Sequence, residues 1–350
     1  MSHPYEQLPD HQFWRRAVAM LPPAAVDPIA EVPFRISATD KVATAGSCFA
    51  QNLAPALRAR GLNYYVAESA PAGLTPDEAW RRNYGRFSCR FGNIYTARQL
   101  LQTMRRAYGR LAPDVDAWTT SEGRFVDPFR PTAEPDGFAT LDALHADRAS
   151  HLESVRRMME TLDVLIFTMG LTECWQTRGE GAVVPLAPGV AGGTFDPNEF
   201  VFCNPRAGEI AADLLAFADE LAAINARAKV ILTVSPQPLT ATYRPIHALV
   251  ANAVTKAALR AAVDEVCTQR PGIAYFPAYE IVTMPGNAMR FFADNQRTVT
   301  PLGVAHVMRL FFKHFAMETT AAPTQQIDAA AEAQRLATAA CEEDALDPGR

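Results

Sequence analysis

Short apolar runs alternate along this chain with longer stretches of helical periodicity, and this alternation limits the possible folds more than any other sequence feature. The runs at 164–169 and 230–234 have strand length and are apolar at almost every position, as in strands covered on both faces. Helical patterns at 141–162, 209–228 and 247–269 lie between and around them. Strands joined in this way form a parallel sheet with helices on both sides. The sequence therefore predicts an α/β protein, a three-layer α/β/α sandwich with a mainly parallel sheet.

The first predicted strand ends beside a serine. The run from Val42 to Ala45 has strand length, Gly46 permits a sharp turn, and a helical pattern follows. Ligands bind at such strand-to-helix turns in open α/β sheets, because the turn lies at the carboxyl edge and the helix presents unpaired N–H groups. Ser47 can therefore project a reactive hydroxyl into the crevice, or it can simply cap the helix. Cys48 fits a small buried thiol better than a nucleophile.

The domain organisation follows from chain length and from the places where the periodicity fades. The chain has 350 residues, of which 49% are hydrophobic, and this is enough for one large core. Between about 109 and 150 prolines interrupt the pattern, which predicts an irregular insertion. A last helix is predicted to start at Thr300 and Pro301. We expect one domain over residues 1–320 and an Ala-rich, partly disordered tail over 321–350.

Charge and composition exclude several classes of partner. A net charge of −5 without a basic patch argues against nucleic acid and anionic bilayers as partners. The first twenty residues lack the apolar stretch of a signal peptide, and nowhere is there a run of about 18 apolar residues. Six cysteines without a CxxC pair predict reduced thiols and no zinc site. We therefore expect a cytoplasmic protein without a transmembrane segment or a bound metal.

The turn after the first strand carries a specific motif. Residues 46–50 spell GSCFA, and on this block the chain resembles the GSCFA family. Further blocks that look like those of the family are PYEQLPDHQFWRRAV, FGNIYTARQLLQ, DPFRP, FTMGLTECW, TVSPQPLTAT and YFPAYEIV. The resemblance extends over residues 4–315. GSCFA proteins are similar to SGNH hydrolases, which are serine esterases with a flavodoxin-like strand order, so the resemblance implies this fold and this chemistry.

The resemblance also implies roles for individual residues. Ser47 would be the nucleophile, and its backbone N–H would donate to the oxyanion of the tetrahedral intermediate. The oxyanion and substrate pocket would be lined by Gly46, Asn93, Gly170, Thr172, Glu173 and Arg297. Asn93 fits a turn cap before the next helix equally well. Glu173 fits either a residue that holds the turn together through hydrogen bonds or an ionised carboxylate at a helix start. Thr172 replaces the asparagine of the SGNH pattern, and its hydroxyl can donate only one hydrogen bond.

The general base is where the sequence departs from the SGNH pattern. That pattern has Asp-x-x-His before the last helix, whereas here Asp294 is followed three residues later by Arg297. The next histidine is His306, which points away from the apolar stripe of the last predicted helix, about 160° from Val304. The resemblance then implies Asp294 and His306 as the acid–base pair that activates the serine. An ordinary exposed histidine is the alternative.

These features lead to three functional hypotheses. The first is an SGNH-like serine acyl esterase that acts on an O-acylated substrate, a carbohydrate ester by preference, through an acyl-enzyme on Ser47. The second is an O-acyltransferase of polysaccharide biosynthesis that takes its acyl group from acyl-CoA as a co-substrate; no other cofactor is expected. The third is a non-catalytic module that binds a carbohydrate or an acyl group, and Arg297 in the histidine position motivates it. Arg130 and Arg244 are candidates for binding an anionic group or for surface ion pairs.

Overall fold

A computed structural model of the chain describes residues 3–317 and 342–347. In chain order its strands are β1 (Val42–Gly46), β2 (Trp118–Thr119), β3 (Phe125–Val126), β4 (Val164–Met169), β5 (Cys174–Thr177), β6 (Val183–Val184), β7 (Phe200–Cys203), β8 (Lys229–Val234) and β9 (Ile273–Phe276). Its α-helices are α1 (Leu53–Ala59), α2 (Pro76–Arg81), α3 (Ala97–Ala107), α4 (Leu141–Thr161), α5 (Ala207–Ile224), α6 (Ala248–Gln269), α7 (Ala278–Thr283), α8 (Ala288–Phe291) and α9 (Pro301–Phe315).

Four strands form a central, all-parallel sheet in the order β1-β4-β8-β9. Every residue of β1 and β4 is buried, as their apolar sequences require. An isolated parallel bridge joins Val42 of β1 to Tyr64, which lies in a short extended segment after α1. Counting that segment as the second strand gives the spatial order 2-1-3-4-5 of flavodoxin-like sheets. The α/β fold with a mainly parallel sheet is confirmed.

Helices flank the sheet and supply the rest of the core. α3, α4, α5 and α6 pack on one another, and α7 and α8 pack against α9. α9 begins where the sequence predicted, because the Thr300 hydroxyl accepts a hydrogen bond from the N–H of Gly303 at 3.3 Å and Pro301 takes the first helical position. Its apolar side packs on β9, with the ring of Phe311 5.1 Å from that of Phe276. One hydrophobic cluster extends from Ile29 to Ala316.

The predicted insertion at about 109–150 contains more regular structure than its sequence suggests. β2 and β3 form a small hairpin within it, and α4 begins at Leu141. A second antiparallel sheet, β6-β5-β7, which the sequence did not predict, follows the central strand β4. Strands of two to four residues are too short to show a period-two pattern, and this is why they were missed.

A buried ion network ties the insertion to α4. Arg130 Nε lies 3.0 Å from Asp127 Oδ2, and Arg130 Nη2 lies 2.8 Å from Asp147 Oδ2. Arg90 Nη1 reaches the other oxygen of Asp147 at 2.6 Å. The side chains of Arg90, Arg130 and Asp127 are at most 2% exposed. Arg130 is therefore a structural cation, neither a surface residue nor one available for a ligand.

Two further predictions concern the ends of the chain and the membrane. The predicted tail, 321–350, lies mostly outside the described residues. Its described part, 342–347, contains a 3-10 helix (Glu342–Leu346), and Glu343 is buried. Among the helices of the described ranges, none combines the length and the apolar character that crossing a membrane requires.

Candidate functional site

The end of β1 holds Ser47 in a buried position at the carboxyl edge of the sheet. Gly46 has φ +142°, and a Cβ there would lie 2.4 Å from the carbonyl oxygen of Thr168 on β4, so only glycine fits. Ser47 precedes a 3-10 helix (Cys48–Asn52), yet its side chain makes no capping hydrogen bond. Ser47 is 2% exposed, and its Oγ has no hydrogen-bond partner among the described residues. The capping role is therefore excluded.

The backbone N–H of Ser47 does not have the role that the resemblance implied. It donates to the carbonyl oxygen of Thr168 at 2.9 Å and so continues the ladder between β1 and β4. A donor committed to this ladder cannot face an oxyanion. In this structure a stabilising donor has to come from another residue.

Asn93, which the sequence named, is a candidate for that donor. Its loop packs on the end of β1, where the N–H of Ile94 donates to the Gly46 carbonyl at 2.9 Å. Thr96, not Asn93, caps α3, since its hydroxyl accepts from the N–H of Gln99 at 3.2 Å. The Asn93 side chain is buried, and its Oδ1 accepts a 3.3 Å hydrogen bond from Gln51 Nε2. The Asn93 side chain also hydrogen-bonds to the carboxylate of Glu342, so its amide is already engaged in this structure.

Gly170 follows β4 and packs directly against the serine. A Cβ on Gly170 would lie 2.9 Å from Ser47 Cβ and 3.4 Å from Ser47 Oγ, so a side chain there would displace the serine. The N–H groups of Gly170 and Leu171 both donate to the carbonyl of Tyr95, at 3.0 and 3.2 Å. Gly170 therefore lies beside Ser47, and its role in a substrate pocket stays a prediction.

Lys256 of α6 is a site residue that the sequence reasoning missed. Its side chain is buried, and Nζ donates to the carbonyl of Gly170 at 2.8 Å. Burial lowers the pKa of this ammonium from 10.5 to about 7; nearby Arg297 acts in the same direction and Glu343 opposes it. A signal was present in the sequence, because Lys256 lies three and seven residues before the buried Leu259 and Val263, on the apolar stripe of its helix.

Thr172 and Glu173 follow Gly170 in the chain and contact residues of α6 and of the loop after β8. The hydroxyl of Thr172 lies 3.2 Å from that of Thr255, and Thr172 also lines a neighbouring cavity of about 390 Å³ with Arg206 and Arg244. Glu173 accepts hydrogen bonds from the hydroxyl of Thr242 at 2.6 Å and from the N–H of Tyr243 at 3.1 Å. A strand, β5, begins after Glu173, so this carboxylate joins two loops and does not mark a helix start.

An aromatic group includes Tyr243, which precedes the cavity residue Arg244 in the chain. The ring of Trp175 lies 4.8 Å from that of Tyr243 and 5.7 Å from that of Phe202, measured between centroids. Tyr243 is 65% exposed, which leaves one face of the group available to a ligand. An exposed aromatic surface of this kind can stack on an apolar sugar face.

The Asp294–Arg297 segment lies at the same edge, and its two named residues have different surroundings. Arg297 Nε donates to the carbonyl of Pro238, in the loop after β8, at 3.0 Å, and its Nη1 lies 2.6 Å from Asp344. Asp294 is exposed. The arginine therefore occupies the sheet edge that the histidine of the SGNH pattern was expected to occupy.

His306 lies on α9 among residues of α8 and α9. Its ring is 5.2 Å from that of Phe291, and its Nδ1 is 3.3 Å from Arg309 Nη2. Partial burial lowers its pKa, and Arg309 and Arg290 lower it further. The contacts that the structure gives for residues 3–317 do not join His306 to Ser47 or to Asp294. Its role as the base stays a prediction.

Comparison with known proteins gives a family. A model of the GSCFA family matches residues 41–311, which is more than half of the chain. The chain belongs to the GSCFA family. No curated protein matches the sequence. The matched range runs from β1 into α9, so it includes every residue of the GSCFA protein that the sequence named as a site residue.

The cysteine beside the serine differs from the expectation of reduced thiols. Cys48 is disulfide-bonded, whereas Cys89, Cys174, Cys203 and Cys267 have free thiols. The expectation was wrong for Cys48 because it rested on the absence of CxxC spacing, which says nothing about cysteines that are far apart in sequence. Cys341, the sixth cysteine, lies outside the described residues, immediately before the 342–347 segment. Groups of acidic, cysteine and histidine side chains able to hold a metal do not occur in the part of the chain that the structure describes.

The site of the GSCFA protein also contains acidic residues from the 342–347 segment. The Thr132 hydroxyl donates to Glu342 Oε1, and both the backbone and the side chain of Asn93 hydrogen-bond to the Glu342 carboxylate. Glu343 Oε2 accepts from the N–H of Thr240 at 3.3 Å and lies 3.5 Å from Arg297 Nη2. The polar, Ala-rich composition of 321–350 contained no sign of this contact.

Proposed function

We propose that this GSCFA protein is an SGNH-like serine acyl esterase that cleaves an O-acylated substrate, a carbohydrate ester by preference, through an acyl-enzyme on Ser47. One observation carries the proposal: the Ser47 hydroxyl is buried at the carboxyl edge of the sheet without a hydrogen-bond partner among the described residues. A buried unsatisfied hydroxyl costs about 1–3 kcal/mol. A fold retains such a group where it has a use other than stability.

The chemistry follows from the groups around this hydroxyl. Ser47 Oγ would attack the acyl carbon while its proton passes to a base, and the alcohol would leave with a proton returned by that base. The amide of Asn93 would stabilise the oxyanion of the intermediate, since the N–H of Ser47 is committed to Thr168. Water would then release the acyl group as a carboxylic acid, or a sugar hydroxyl would accept it.

Two residues are candidates for the base. The family resemblance favours His306 with Asp294. The contacts favour Lys256, whose ammonium group donates to Gly170, the residue packed against Ser47. A lysine with a pKa of about 7 is neutral for a large part of the time at neutral pH, so it can accept the serine proton.

Serine-directed fluorophosphonate labelling tests the proposal. We expect mass spectrometry to find the label on Ser47, and Ser47→Ala to abolish it, whereas the exposed control Ser150→Ala keeps it. Labelling and ester hydrolysis in His306→Gln and Lys256→Met then identify the base, because only loss of the true base lowers both rates. An unlabelled Ser47 in folded protein, both in the wild type and after replacement of Glu342 and Glu343 by lysine, would contradict the proposal.

Two observations favour the alternatives. The cavity of about 390 Å³ beside Thr172 offers Arg206 and Arg244, a pair of cations suited to the phosphates of an acyl-CoA donor, and this favours the O-acyltransferase. Arg297 in the histidine position favours the binding module, which would bind sugar without turnover. Calorimetry with coenzyme A separates these cases, since only the transferase needs Arg206 and Arg244 for binding. We also propose a cytoplasmic location for the protein.

A further inference from the structure

The 342–347 segment places three carboxylates in succession against the polar groups of the site. Glu342 contacts the Asn93 loop, Glu343 lies between Thr240 and Arg297, and Asp344 pairs with Arg297. These partners come from loops that follow different strands, and they converge only at the carboxyl edge of the sheet. One short segment therefore covers the edge at which Ser47 lies.

Glu342 occupies the position closest to the proposed oxyanion donor. Hydrogen bonds from the backbone and the side chain of Asn93 reach its carboxylate. Its Oε1 also packs so closely on Gly92 that a Cβ there would lie 2.9 Å away. Thr132, which donates to the same oxygen, is itself held by Asn83 Nδ2 at 3.1 Å. This carboxylate therefore fits a formed recess lined with donors.

Glu343 and Asp344 share the single guanidinium of Arg297. The side chain of Glu343 is only 6% exposed, and its Oε2 lies 3.5 Å from Arg297 Nη2. Asp344 Oδ1 lies 2.6 Å from Nη1 of the same arginine. The protonated form of Lys256 adds a second buried positive charge near Glu343. A recess with two cations and several N–H donors is complementary to a carboxyl group.

The covered site is closed to an external ligand. Ser47, Asn93 and Lys256 are each at most 2% exposed in this structure. Part of the protein that covers Ser47 therefore has to move before a substrate can reach it. The 342–347 segment contacts the site through carboxyl side chains. Ester hydrolysis releases a product with the same chemical group, a carboxylic acid.

We propose that the recess formed by Asn93, Thr240 and Arg297 is a binding site for the carboxyl group of a ligand, and that Glu342 and Glu343 occupy it as an intramolecular pseudo-ligand. The segment competes with external ligands and has to leave before they bind. The identification of the ligand as an acid rests on the proposed esterase function. Binding at the recess itself needs no catalysis by Ser47.

Peptide binding to the full-length chain tests this. The release variant is Glu342→Lys with Glu343→Lys, and its charge-matched control is Glu31→Lys with Glu153→Lys, at two exposed positions. The probe is the blocked hexapeptide of sequence EEDALD, measured by calorimetry with and without reductant because Cys48 is disulfide-bonded. We expect the release variant to bind the peptide at least tenfold more tightly than the wild type or the control. Adding Arg297→Gln, or changing the peptide to AADALD, should weaken binding at least tenfold.

A second measurement distinguishes release of the 342–347 segment from misfolding of the variant. Hydrogen exchange of the 92–95 and 238–240 loops should increase at least tenfold in the release variant, while the central strands keep their protection. Equal peptide affinity in all full-length variants, or unchanged exchange in both loops, would overturn the proposal. The Ser47→Ala change in the release variant should leave peptide binding intact. Binding without fluorophosphonate labelling would then reject the esterase and keep the recess, whereas labelling without binding would do the reverse.

Discussion

Two regions of this protein bury charged and polar side chains, and they satisfy them differently. In the ion network of Arg90, Asp127, Arg130 and Asp147, each carboxylate faces at least one guanidinium within 3.0 Å. In the candidate site, the hydroxyl of Ser47 has no hydrogen-bond partner among the described residues. Within the same residues, Lys256 donates only to a neutral carbonyl, that of Gly170. Both regions are almost completely removed from solvent.

The pKa shifts of Glu68, Glu343 and Lys256 show the same difference. Burial alone would raise the pKa of Glu68, which adjoins the ion network, but His151 and Arg130 outweigh it and lower the pKa to about 2. In the site, burial prevails: it raises the pKa of Glu343 and lowers that of Lys256 to about 7. Partners that outweigh desolvation stabilise charges for structure, whereas desolvation that prevails leaves groups ready to exchange protons. For these groups the comparison separates the ion network from the candidate site on electrostatic grounds.

The largest expected effect comes from breaking the ion network. Arg130→Met leaves Asp127 buried without its closest cation, and we expect this to lower the free energy of unfolding by about 3–5 kcal/mol. Arg110→Met is the control, because Arg110 is 51% exposed and its pair with Glu220 is worth less than about 1 kcal/mol. Urea denaturation measures both. Equal losses of unfolding free energy in the two variants would contradict the structural role of the buried ion network.

Lys256 should make the stability depend on pH above about pH 7. Its pKa is about 7 in the folded protein and 10.5 when unperturbed, so between these values the unfolded chain holds a proton that the folded chain has lost. Stability then rises with pH in this window, and it has no such slope below pH 7, where both states are protonated. The difference in unfolding free energy between the wild type and Lys256→Met should grow by about 1.4 kcal/mol per pH unit from pH 7.5 to 9.5.

Lys313→Met is the matched control for this slope. The Lys313 side chain is 58% exposed, so removing it should leave the pH dependence of stability unchanged. Denaturation curves at three pH values within the window are sufficient. If the difference in unfolding free energy between the wild type and Lys256→Met does not change with pH, the buried ammonium keeps its proton. Lys256 would then no longer be a candidate base.

The smallest effect concerns two buried serines. Ser88 Oγ accepts a hydrogen bond from the N–H of Thr44 at 2.9 Å, so Ser88→Ala should cost about 1–3 kcal/mol by leaving that N–H unpaired. Ser47 makes no such bond, so Ser47→Ala should leave stability unchanged or raise it by up to about 1 kcal/mol. Thermal denaturation of both variants checks this. A clear loss of stability in Ser47→Ala would show that the hydroxyl has a structural partner.

Much of the fold could be predicted because its signals are local. The strand 164–169 has the bounds that its apolar run predicted, and α9 starts at the residues that its capping threonine and first-turn proline indicated. The helix predicted at 247–269 differs from α6 by one residue. The antiparallel β5–β7 sheet was missed, since its pairing joins residues such as Cys174 and Cys203, which are distant in sequence.

The sequence by itself determined that a parallel sheet forms, that Ser47 stands at its carboxyl edge after a glycine, and that Gly170 follows the neighbouring strand. Periodicity, turn chemistry and capping act within a few residues, so they can be read from the order of amino acids. Only the tertiary structure committed the N–H of Ser47 to Thr168, brought Lys256 to Gly170 across 86 positions, and placed Glu342 against Asn93. Those contacts depend on how distant segments pack, and the local sequence around each residue carries no trace of its partner.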